Sequence, residues 1–368
     1  MLLSIVSFTS GIFSFLLKII LLVFILGIII LVHEFGHFIW AKKFGVYIYE
    51  FSIGMGPVIW TKKGKDKIDY NIRAVPIGGF VSMAGEVYDD ADQEIPKNRL
   101  LCNKPWYQRL IILIAGVMNN FILAILLLII YTSFWGGSAI KPVIGTVVDG
   151  SAAQTAGLKN GDTILAINGY HTGSWDKAQI ILYYKNKKEY YTFKVKHNDN
   201  KIETIKIIPD KVVDEDTGEE RNVFGISIAN YEISNPLKVV SYSFAKFVAV
   251  VSSMGATIGG LITGKISLNA LSGPVGIYQI VGESLNYQFI NALKYIIYII
   301  AFLSINVGFI NILPFPAFDG GHVFFLLVEK IKGSPINAKF ENTCHLVGFI
   351  LIFLLMIIVS INDIIKLF

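Results

Sequence analysis

The chain has 368 residues and a formal net charge of +5, and 54% of its residues are hydrophobic against 16% charged. Soluble globular domains carry about a quarter charged residues, so this composition excludes an ordinary soluble protein and indicates an integral protein of a lipid bilayer. Basic residues form no stripe interleaved with aromatic residues, so we expect no nucleic-acid partner. Cys102 and Cys344 lie far apart and outside any C-x-x-C pair, which predicts neither a disulfide framework nor a thiolate zinc site.

A first transmembrane helix is predicted from about Phe15 to Trp40, and it contains a group of ionisable residues. The run from Ile19 to Val32 has no polar side chain, and His33-Glu34-Phe35-Gly36-His37 follows directly. Ionisable side chains at membrane depth are costly, so they predict a functional site. Histidines at positions i and i+4 share a helix face and can hold one zinc ion, and Glu34 between them is placed to act as a base. The alternative is a polar patch that hydrogen-bonds neighbouring helices without a metal.

A β-hairpin is predicted over residues 58–83, after this helix. Val58 to Thr61 and Ile68 to Ile72 alternate apolar and polar residues around a turn rich in lysine and glycine, and Arg73 to Met83 extends the second strand. Gly78-Gly79 permits a sharp bend or a close approach of the backbone to a partner. The hairpin either dips into the membrane, where its strand edge can accept an extended substrate, or caps the cytoplasmic side; the sequence favours neither.

Three further transmembrane helices are predicted at about 110–134, 292–312 and 346–365, because each is long and apolar enough to cross a bilayer. A fifth stretch, 239–262, is moderately apolar and rich in serine and glycine, which indicates an amphipathic or interfacial helix. Lysine and arginine residues concentrate between the first two spans and between the last two. By the positive-inside rule these loops are cytoplasmic, so in a multi-pass protein of the cell membrane we expect both termini and the loop from about 135 to 290 to be extracytoplasmic.

The extracytoplasmic loop contains a predicted soluble domain. Strands are predicted at 144–148, 163–167, 191–195 and 202–208, and a short helix follows Ser151. The stretch SAAQTAGLKNGDTILAING, from Ser151 to Gly169, resembles the PDZ domains of bacterial proteases, and one copy is present. The polar residues Asp214 to Arg221 predict a solvated loop near the end of the domain. We therefore divide the chain at 1–134, 135–232, 233–290 and 291–368.

A further candidate ligand follows the third span, in the stretch Asn311-Ile312-Leu313-Pro314-Phe315-Pro316-Ala317-Phe318-Asp319-Gly320-Gly321-His322. Two prolines break the helix, and irregular backbone at membrane depth is tolerated where it is buried in protein or lines a cavity. Asp319 then lies near the same cytoplasmic side as the two histidines, and its carboxylate completes a three-ligand zinc site with an open fourth position. The alternative is an aspartate that caps a helix beginning at Gly320. We expect His322 not to be a ligand, but either to donate a hydrogen bond to a ligand or to make a contact on its helix face.

The H-E-x-x-H motif, the N-x-x-P-x-P-x-x-D-G motif and the PDZ-like insertion together resemble the site-2 protease family of intramembrane metalloproteases, over nearly the whole chain. Within that family the resemblance is to bacterial regulators of extracytoplasmic stress signalling with a single PDZ domain. It implies that His33, His37 and Asp319 bind one Zn²⁺ ion per chain and that Glu34 is the catalytic residue.

The same resemblance implies a set of substrate-binding positions. Asn311 matches a family position that helps to hold the substrate backbone, and Asn120 matches a hydrogen-bond donor near the site. The loop of the hairpin matches at Gly78, Gly79 and Phe80. Further matches occur at 104–109 and at 272–276.

Two positions depart from the family pattern. Phe318 stands where leucine usually precedes Asp-Gly, an exchange of apolar residues that we expect to matter little. The second span has Gly116-Val117-Met118-Asn119-Asn120 without the family's proline, so we expect a straighter helix there. The remaining histidines fall in predicted loops or element boundaries, with no partner that argues for chemistry: His171, His197 and His345.

These features predict a polytopic α-helical membrane protein of about four transmembrane helices, with a cytoplasmic-side β-hairpin and one inserted extracytoplasmic PDZ-like α+β domain. We expect a zinc metalloendopeptidase that cleaves transmembrane segments of single-span membrane proteins, which are anti-sigma factors, remnant signal peptides or both. The PDZ-like domain either filters substrates by size or binds a peptide C-terminus. Two other classes are weaker alternatives: a membrane ion or metal transporter, for which no inverted repeat is found, and an inactive scaffold, against which an intact Glu34 argues.

Overall fold

The computed structural model describes residues 2–86, 93–184, 189–213, 220–264, 266, 271 and 273–365. Ser272 and residues 214–219 of the predicted solvated loop lie outside these ranges. The described helices are α1 (Leu2–Lys43), α2 (Trp106–Trp135), α3 (Ala152–Thr155), α4 (Trp175–Tyr184), α5 (Pro236–Ile262), α6 (Pro274–Glu283), α7 (Phe289–Asn311), α8 (Asp319–Lys332) and α9 (Ala338–Ile365).

The described strands form one four-stranded sheet, of order β6-β5-β7-β8, and the pairs β1-β2, β4-β11, β3-β12 and β9-β10. Their bounds are β1 (Ile48–Lys63), β2 (Asp69–Met83), β3 (Gly137–Ser138), β4 (Ile144–Val147), β5 (Thr163–Ile167), β6 (Tyr170–His171), β7 (Tyr191–Lys196), β8 (Ile202–Ile207), β9 (Asp210–Val213), β10 (Glu220–Val223), β11 (Ile226–Ile228) and β12 (Asn230–Tyr231). The chain divides into two compact units, residues 1–127 with 273–360 and residues 128–272 with 361–368.

Five helices in the described part of the chain are long and apolar enough to cross a membrane. They cover Phe13–Lys43, Trp106–Trp135, Pro236–Ile262, Phe289–Asn311 and Lys339–Ile365. Four of them overlap the predicted spans, so the chain is a polytopic membrane protein with a smaller share of sheet. The remaining helix, α5, is the least apolar of the five, and it is the stretch for which the sequence predicts an interfacial helix.

The hairpin begins ten residues earlier than predicted, because β1 starts at Ile48 rather than at Val58. The extra length lets the sheet fold back on itself: residues 50–53 pair with 79–82 and also lie beside 69–72, which pair with 60–63. Gly54 and Gly56 have φ of +87° and +83°, left-handed values that turn β1 between its two halves. The edges of this small sheet are therefore residues 58–63 and 79–83.

The first unit packs around α1. Ile25 and Ile29 are fully buried and contact Val281 of α6 and Ile299 of α7. α2 approaches α1 closely at Gly36, where an added Cβ would overlap the backbone carbonyl of Ala115. The glycine within the H-E-F-G-H motif thus brings α2 next to both histidines.

The second unit contains the four-stranded sheet and its own core. Tyr191, Phe193 and Val195 of β7 are fully buried, as are Ile164 and Ile167 of β5. The strands predicted near 144, 163, 191 and 202 are present, as is the short helix after Ser151, whose side chain caps it. The sequence did not predict α4, because ten residues are too few for periodicity to separate a helix from a strand.

Candidate metal centre

His33 and His37 lie on one face of α1, and both imidazoles are buried. Their Nε2 atoms are 3.3 Å apart. His37 Nδ1–H donates a hydrogen bond to the carbonyl of Ile112 on α2, at 2.8 Å. A neutral imidazole carries one N–H, so this bond leaves the Nε2 lone pair of His37 free and facing the neighbouring ring.

Asn120 of α2 contacts His33 from the other side, with its side-chain nitrogen Nδ2 3.3 Å from His33 Nδ1. Asn120 is fully buried, and its Oδ1 has no hydrogen-bond partner in the part of the chain that the structure describes. The amide can therefore turn this oxygen to His33 and accept a hydrogen bond from Nδ1–H. Ser304 of α7 donates to the backbone carbonyl of Asn120 at 2.9 Å and holds the residue in place. With Nδ1 as the donor, the Nε2 lone pair of His33 faces that of His37.

Asp319 brings a carboxylate to these two rings, and we call His33, His37 and Asp319 the metal cluster. Asp319 Oδ2 lies 3.0 Å from His33 Nε2 and 3.4 Å from His37 Nε2. Asp319 is the first residue of α8, so that helix begins one residue before the predicted start at Gly320. An added Cβ on Gly320 would overlap the carbonyls of Ile312 and Leu313, so α8 turns tightly back on the end of α7. This turn carries the carboxylate to α1.

Gly116 of α2 lies directly against the metal cluster. A Cβ added there would lie 2.8 Å from His33 Cε1 and closer still to His37 Nε2. Real Cβ atoms essentially never show such contacts, so glycine is what leaves room for both rings. The segment from Gly116 to Asn120 thus contributes to the cluster at both ends. Gly116 leaves space for both imidazole rings, and Asn120 places its amide next to His33.

The donor set of the metal cluster fits a tetrahedral zinc ion. Ligand atoms about 2.0–2.1 Å from tetrahedral zinc lie roughly 3.3 Å from one another. The three corresponding distances here are 3.0, 3.3 and 3.4 Å. Two imidazole lone pairs and a carboxylate oxygen are unfavourable at this spacing without a cation among them. Two histidines and one carboxylate are also a donor set of catalytic zinc sites, which keep the fourth position open.

Glu34 lies on α1 between the two histidines in sequence. Its half-buried carboxylate accepts a hydrogen bond from the backbone N–H of Val81 in β2. The N–H and C=O groups of one strand residue point to the same side of the strand. At Val81, therefore, the edge of residues 79–83 that is not paired with β1 faces Glu34. The candidate base and a strand edge therefore lie side by side.

The other sequence-predicted residues lie in β2 and at the end of α7. Gly78 has a φ of +75° and lies next to the side chain of Ile30 on α1, and an added Cβ on Gly79 would lie 2.6 Å from the carbonyl of Ser52. The Phe80 ring lies 5.0 Å from the Arg73 guanidinium. Asn311 is the last residue of α7, at the start of the segment that leads to Asp319.

Three further side chains, His322, Glu341 and His345, also lie close enough together to hold a metal ion, and we call them the α9 cluster. His322 is outside the metal cluster, as expected, and its Nδ1 lies 3.1 Å from Glu341. The expectation that His345 lies in a loop or boundary without a partner is wrong. His345 lies inside α9, and its Nδ1 accepts a hydrogen bond from Ala317 N–H. The i,i+4 spacing of Glu341 and His345 was the signal in the sequence that this helix begins before the predicted start at about residue 346.

The sequence profile of peptidase family M50 matches residues 21–355. The chain belongs to peptidase family M50, the site-2 proteases. It is therefore an intramembrane zinc metalloprotease with Zn²⁺ as its cofactor. This result confirms the family, the enzyme class and the cofactor that the sequence predicts.

Curated bacterial proteins are similar to this chain over most of their length. The regulator of sigma-W protease RasP of Bacillus subtilis is 32% identical over an alignment of 395 positions, which covers 87% of this chain and 91% of that protein. A protein of Fusobacterium nucleatum named as a zinc metalloprotease is 36% identical, with 87% of this chain and 90% of that protein covered. One of Clostridium acetobutylicum with a similar name is 35% identical, with 86% and 88% covered.

Proposed function

We propose that His33, His37 and Asp319 hold one zinc ion per chain and that Glu34 is the catalytic base. The observation that carries this proposal is the convergence of two Nε2 atoms and one carboxylate oxygen within 3.4 Å of one another. The hydrogen bond of His37 Nδ1–H to the Ile112 carbonyl supports it, because it keeps the proton of that imidazole away from the converging side. The Asn120 amide does the same for His33 when its unpartnered Oδ1 is turned to Nδ1–H.

His33, His37 and Asp319 would hold the zinc ion, which would supply an acidic bound water at neutral pH and a Lewis acid for the scissile carbonyl. Glu34 takes the proton of the attacking water and returns it to the leaving amine, as a general base and then a general acid. Val81 N–H holds the Glu34 carboxylate beside the strand edge while the proton is transferred. Gly116 keeps the space around both imidazoles free of other side chains.

The proposed substrates are transmembrane segments of single-span membrane proteins, either anti-sigma factors or remnant signal peptides. The run of apolar residues 19–32, directly before the site, supports a position of the site within the membrane. β2 packs along this run at Gly27 and Ile30. A peptide within a helix hides its carbonyls in its own hydrogen bonds, so the substrate must become extended locally. The edge at residues 79–83 can pair with an extended segment and present it to Glu34. The name of the Bacillus subtilis relative, a regulator of sigma-W, supports the anti-sigma class.

Cleavage of a panel of single-span proteins in liposomes tests this function. We expect the wild-type enzyme to cut within the membrane segment, at sites mapped by mass spectrometry, and Glu34→Gln to cut none of them. Substrates with a glycine pair in the segment should be cut faster than matched substrates with leucine there, because they unwind more easily. Cuts confined to the soluble parts of every substrate would contradict the proposal.

We propose that α5 does not cross the membrane by itself. The metal cluster joins the C-terminal part of α1 to the residue that begins α8, after α7, so α1 and α7 run in the same direction. An even number of crossings must therefore separate the end of α2 from the start of α7. α6, the described helix between α5 and α7, has ten residues and is about 15 Å long, roughly half of the hydrocarbon core. An interfacial α5 satisfies this count.

The proposed orientation places both termini and residues 135–290 outside the cell and the metal cluster near the cytoplasmic side, as the lysine-rich loops predict. A membrane-impermeant thiol reagent added to intact cells tests it. The reagent should miss native Cys102, which is exposed on the protein surface, and label Thr204→Cys on the exposed face of β8. Labelling of Cys102 alone would show that the orientation in the membrane is the reverse of the proposed one.

We propose that the second unit contains a PDZ-like domain that restricts access to the site. The short helix after Ser151, the glycine turns at Gly157 and Gly161 and the sheet of β5, β7 and β8 support the PDZ-like character. Deleting residues 140–230 should leave zinc binding intact and allow substrates with long ectodomains to be cut. A deletion variant that keeps its zinc but cuts nothing would instead make the domain a docking module, and continued refusal of long substrates would place the filter in the helices.

A further inference from the structure

The segment that leads to Asp319 has a strained backbone. Ala317 has a φ of +88°, in the left-handed region that residues with a side chain rarely adopt. It lies between Pro316 and Phe318, two residues before the carboxylate. Such a conformation persists only where the surrounding contacts hold it in place.

α9 supplies contacts that hold this segment. The backbone N–H of Ala317 donates a hydrogen bond to His345 Nδ1, at 3.0 Å. Gly348, on the following turn of α9, lies so close to the carbonyl of Pro316 that an added Cβ would overlap it. Two successive turns of α9 therefore bind the two residues that bend the chain toward Asp319.

The His345 ring is itself fixed by its neighbours. It stacks on the His322 ring, with ring centroids 3.8 Å apart and planes 16° apart, and it contacts Phe325 at 5.6 Å. Only 14% of its side chain is exposed. Rotation of the ring would break both the stack and the hydrogen bond to Ala317.

The hydrogen bond to Ala317 also decides what the α9 cluster can do. Because His345 Nδ1 accepts a hydrogen bond, the neutral ring carries its proton on Nε2. That nitrogen lies 3.9 Å from Glu341 Oε1 and has no hydrogen-bond partner among the described residues. A protonated nitrogen cannot bind a metal ion, so the geometry of the α9 cluster is suited to holding the backbone rather than a second metal.

We propose that His345 is a positioning residue for the zinc site: its Nδ1 holds Ala317 in the left-handed conformation that places the Asp319 carboxylate against His33 and His37. This inference rests on the proposed role of Asp319 as a ligand. Loss of the acceptor would release the segment, and the carboxylate would then spend less time within reach of the two Nε2 atoms.

Full-length protein in detergent, loaded with zinc or with Co²⁺ in its place, tests the proposal with two variants of His345. His345→Leu fills a similar volume without an acceptor, whereas His345→Asn places Oδ1 near the position of Nδ1. The matched control is Thr343→Val, which removes a hydrogen bond within the same helix, to the carbonyl of Lys339. The measurements are the rate of zinc loss to a chromophoric chelator and the visible spectrum of the Co²⁺ form, which reports the geometry of the ligands.

We expect His345→Leu to lose zinc about tenfold faster than wild type, at the lower end of effects from residues that orient ligands. Its Co²⁺ spectrum should change, and His345→Asn should restore both the spectrum and most of the zinc retention. Zinc loss from His345→Leu at the rate of Thr343→Val, or an asparagine variant as defective as the leucine variant, would overturn the inference. Asp319→Ala distinguishes failure of the proposed zinc site from failure of the positioning role. If Asp319→Ala keeps its zinc, the proposed site is wrong. If Asp319→Ala loses zinc while His345→Leu does not, only the positioning role is wrong.

Discussion

The metal cluster and the α9 cluster each contain two histidines and one carboxylate, and they differ in what bonds to the ring nitrogens. In the metal cluster, His37 Nδ1–H bonds to a backbone carbonyl, and His33 Nδ1 faces the Asn120 amide, whose unpartnered oxygen can turn to accept its proton. Both Nε2 atoms then present lone pairs to a carboxylate oxygen. In the α9 cluster, His345 Nδ1 accepts a backbone N–H, and the proton remains on the nitrogen that faces Glu341. The same residue types are thus arranged for a metal in one place and for a backbone bond in the other.

The comparison teaches that residue type and spacing do not identify a metal site by themselves. The partner of the second ring nitrogen selects the tautomer, and the tautomer decides whether a lone pair is available. Variants of the two clusters can therefore be compared directly.

The largest expected difference is in turnover, between Glu34→Gln and Glu341→Gln. Loss of the base should lower the rate about 10³-fold, within the range of general acid–base catalysis, because glutamine keeps the shape of the side chain but cannot accept the proton. Glu341→Gln should stay within about threefold of wild type, since it can still accept a hydrogen bond from His322. Zinc content measured in parallel should be unchanged in both variants. Comparable rates for the two variants would remove Glu34 from the mechanism.

Zinc content should separate Asp319→Ala from His322→Ala. The first removes a ligand oxygen that lies 3.0 Å from His33 Nε2, so zinc should fall from about one ion per chain to a small fraction of that. The second removes no ligand but a ring that stacks on His345, so the zinc content should fall far less than in Asp319→Ala. Mass spectrometry of metals in purified protein measures both. Equal losses would mean that His322 is as important for zinc binding as Asp319, which would contradict its place outside the metal cluster.

A smaller effect is expected from crowding the metal cluster with one methyl group. Gly116→Ala places a Cβ 2.8 Å from His33 Cε1, and overpacking of this kind costs about 1–3 kcal/mol, or roughly thirtyfold in zinc affinity at the middle of the range. The matched control is Gly259→Ala in α5, where an added Cβ meets nothing within 4 Å. Competition with a chelator of known affinity measures the difference. An unchanged affinity in Gly116→Ala would show that α2 yields to the added group.

The smallest effect is expected at the residue that departs from the family pattern. Phe318→Leu restores the usual residue before Asp-Gly and removes a ring whose centroid lies 6.0 Å from that of Phe315. Because both residues are apolar, turnover should stay within about twofold of wild type. A steady-state cleavage assay checks this. A large gain or loss would mean that Phe318 shapes the approach to Asp319.

The sequence alone was sufficient to predict the spans of α1, α2, α7 and α9 and the main strands of the second unit, because their patterns are local. It also predicted the candidate ligands, since H-E-x-x-H encodes its geometry within a single helical turn. That Asp319 would lie beside His33 was an expectation from the broken helix. Their function as ligands stays a prediction that metal analysis tests.

Other features depended on residues far apart in the chain. The hydrogen bond that selects the His37 tautomer joins residues 75 positions apart, and the contact of Asn120 with His33 joins residues 87 positions apart. The fold-back of the hairpin, which leaves 79–83 as an edge beside Glu34, required a β1 longer than its alternation of polar and apolar residues indicates.

The sequence by itself determined that this is a membrane protein with two histidines and a glutamate on one helix, because hydropathy and helical periodicity are properties of neighbouring residues. Only the tertiary structure decided which nitrogen atoms face one another, why Gly116 has no side chain, and how His345 holds the segment before Asp319. Those features arise from hydrogen bonds and steric contacts between α1, α2, α8 and α9. Such contacts exist only after the helices pack, and no local pattern encodes them.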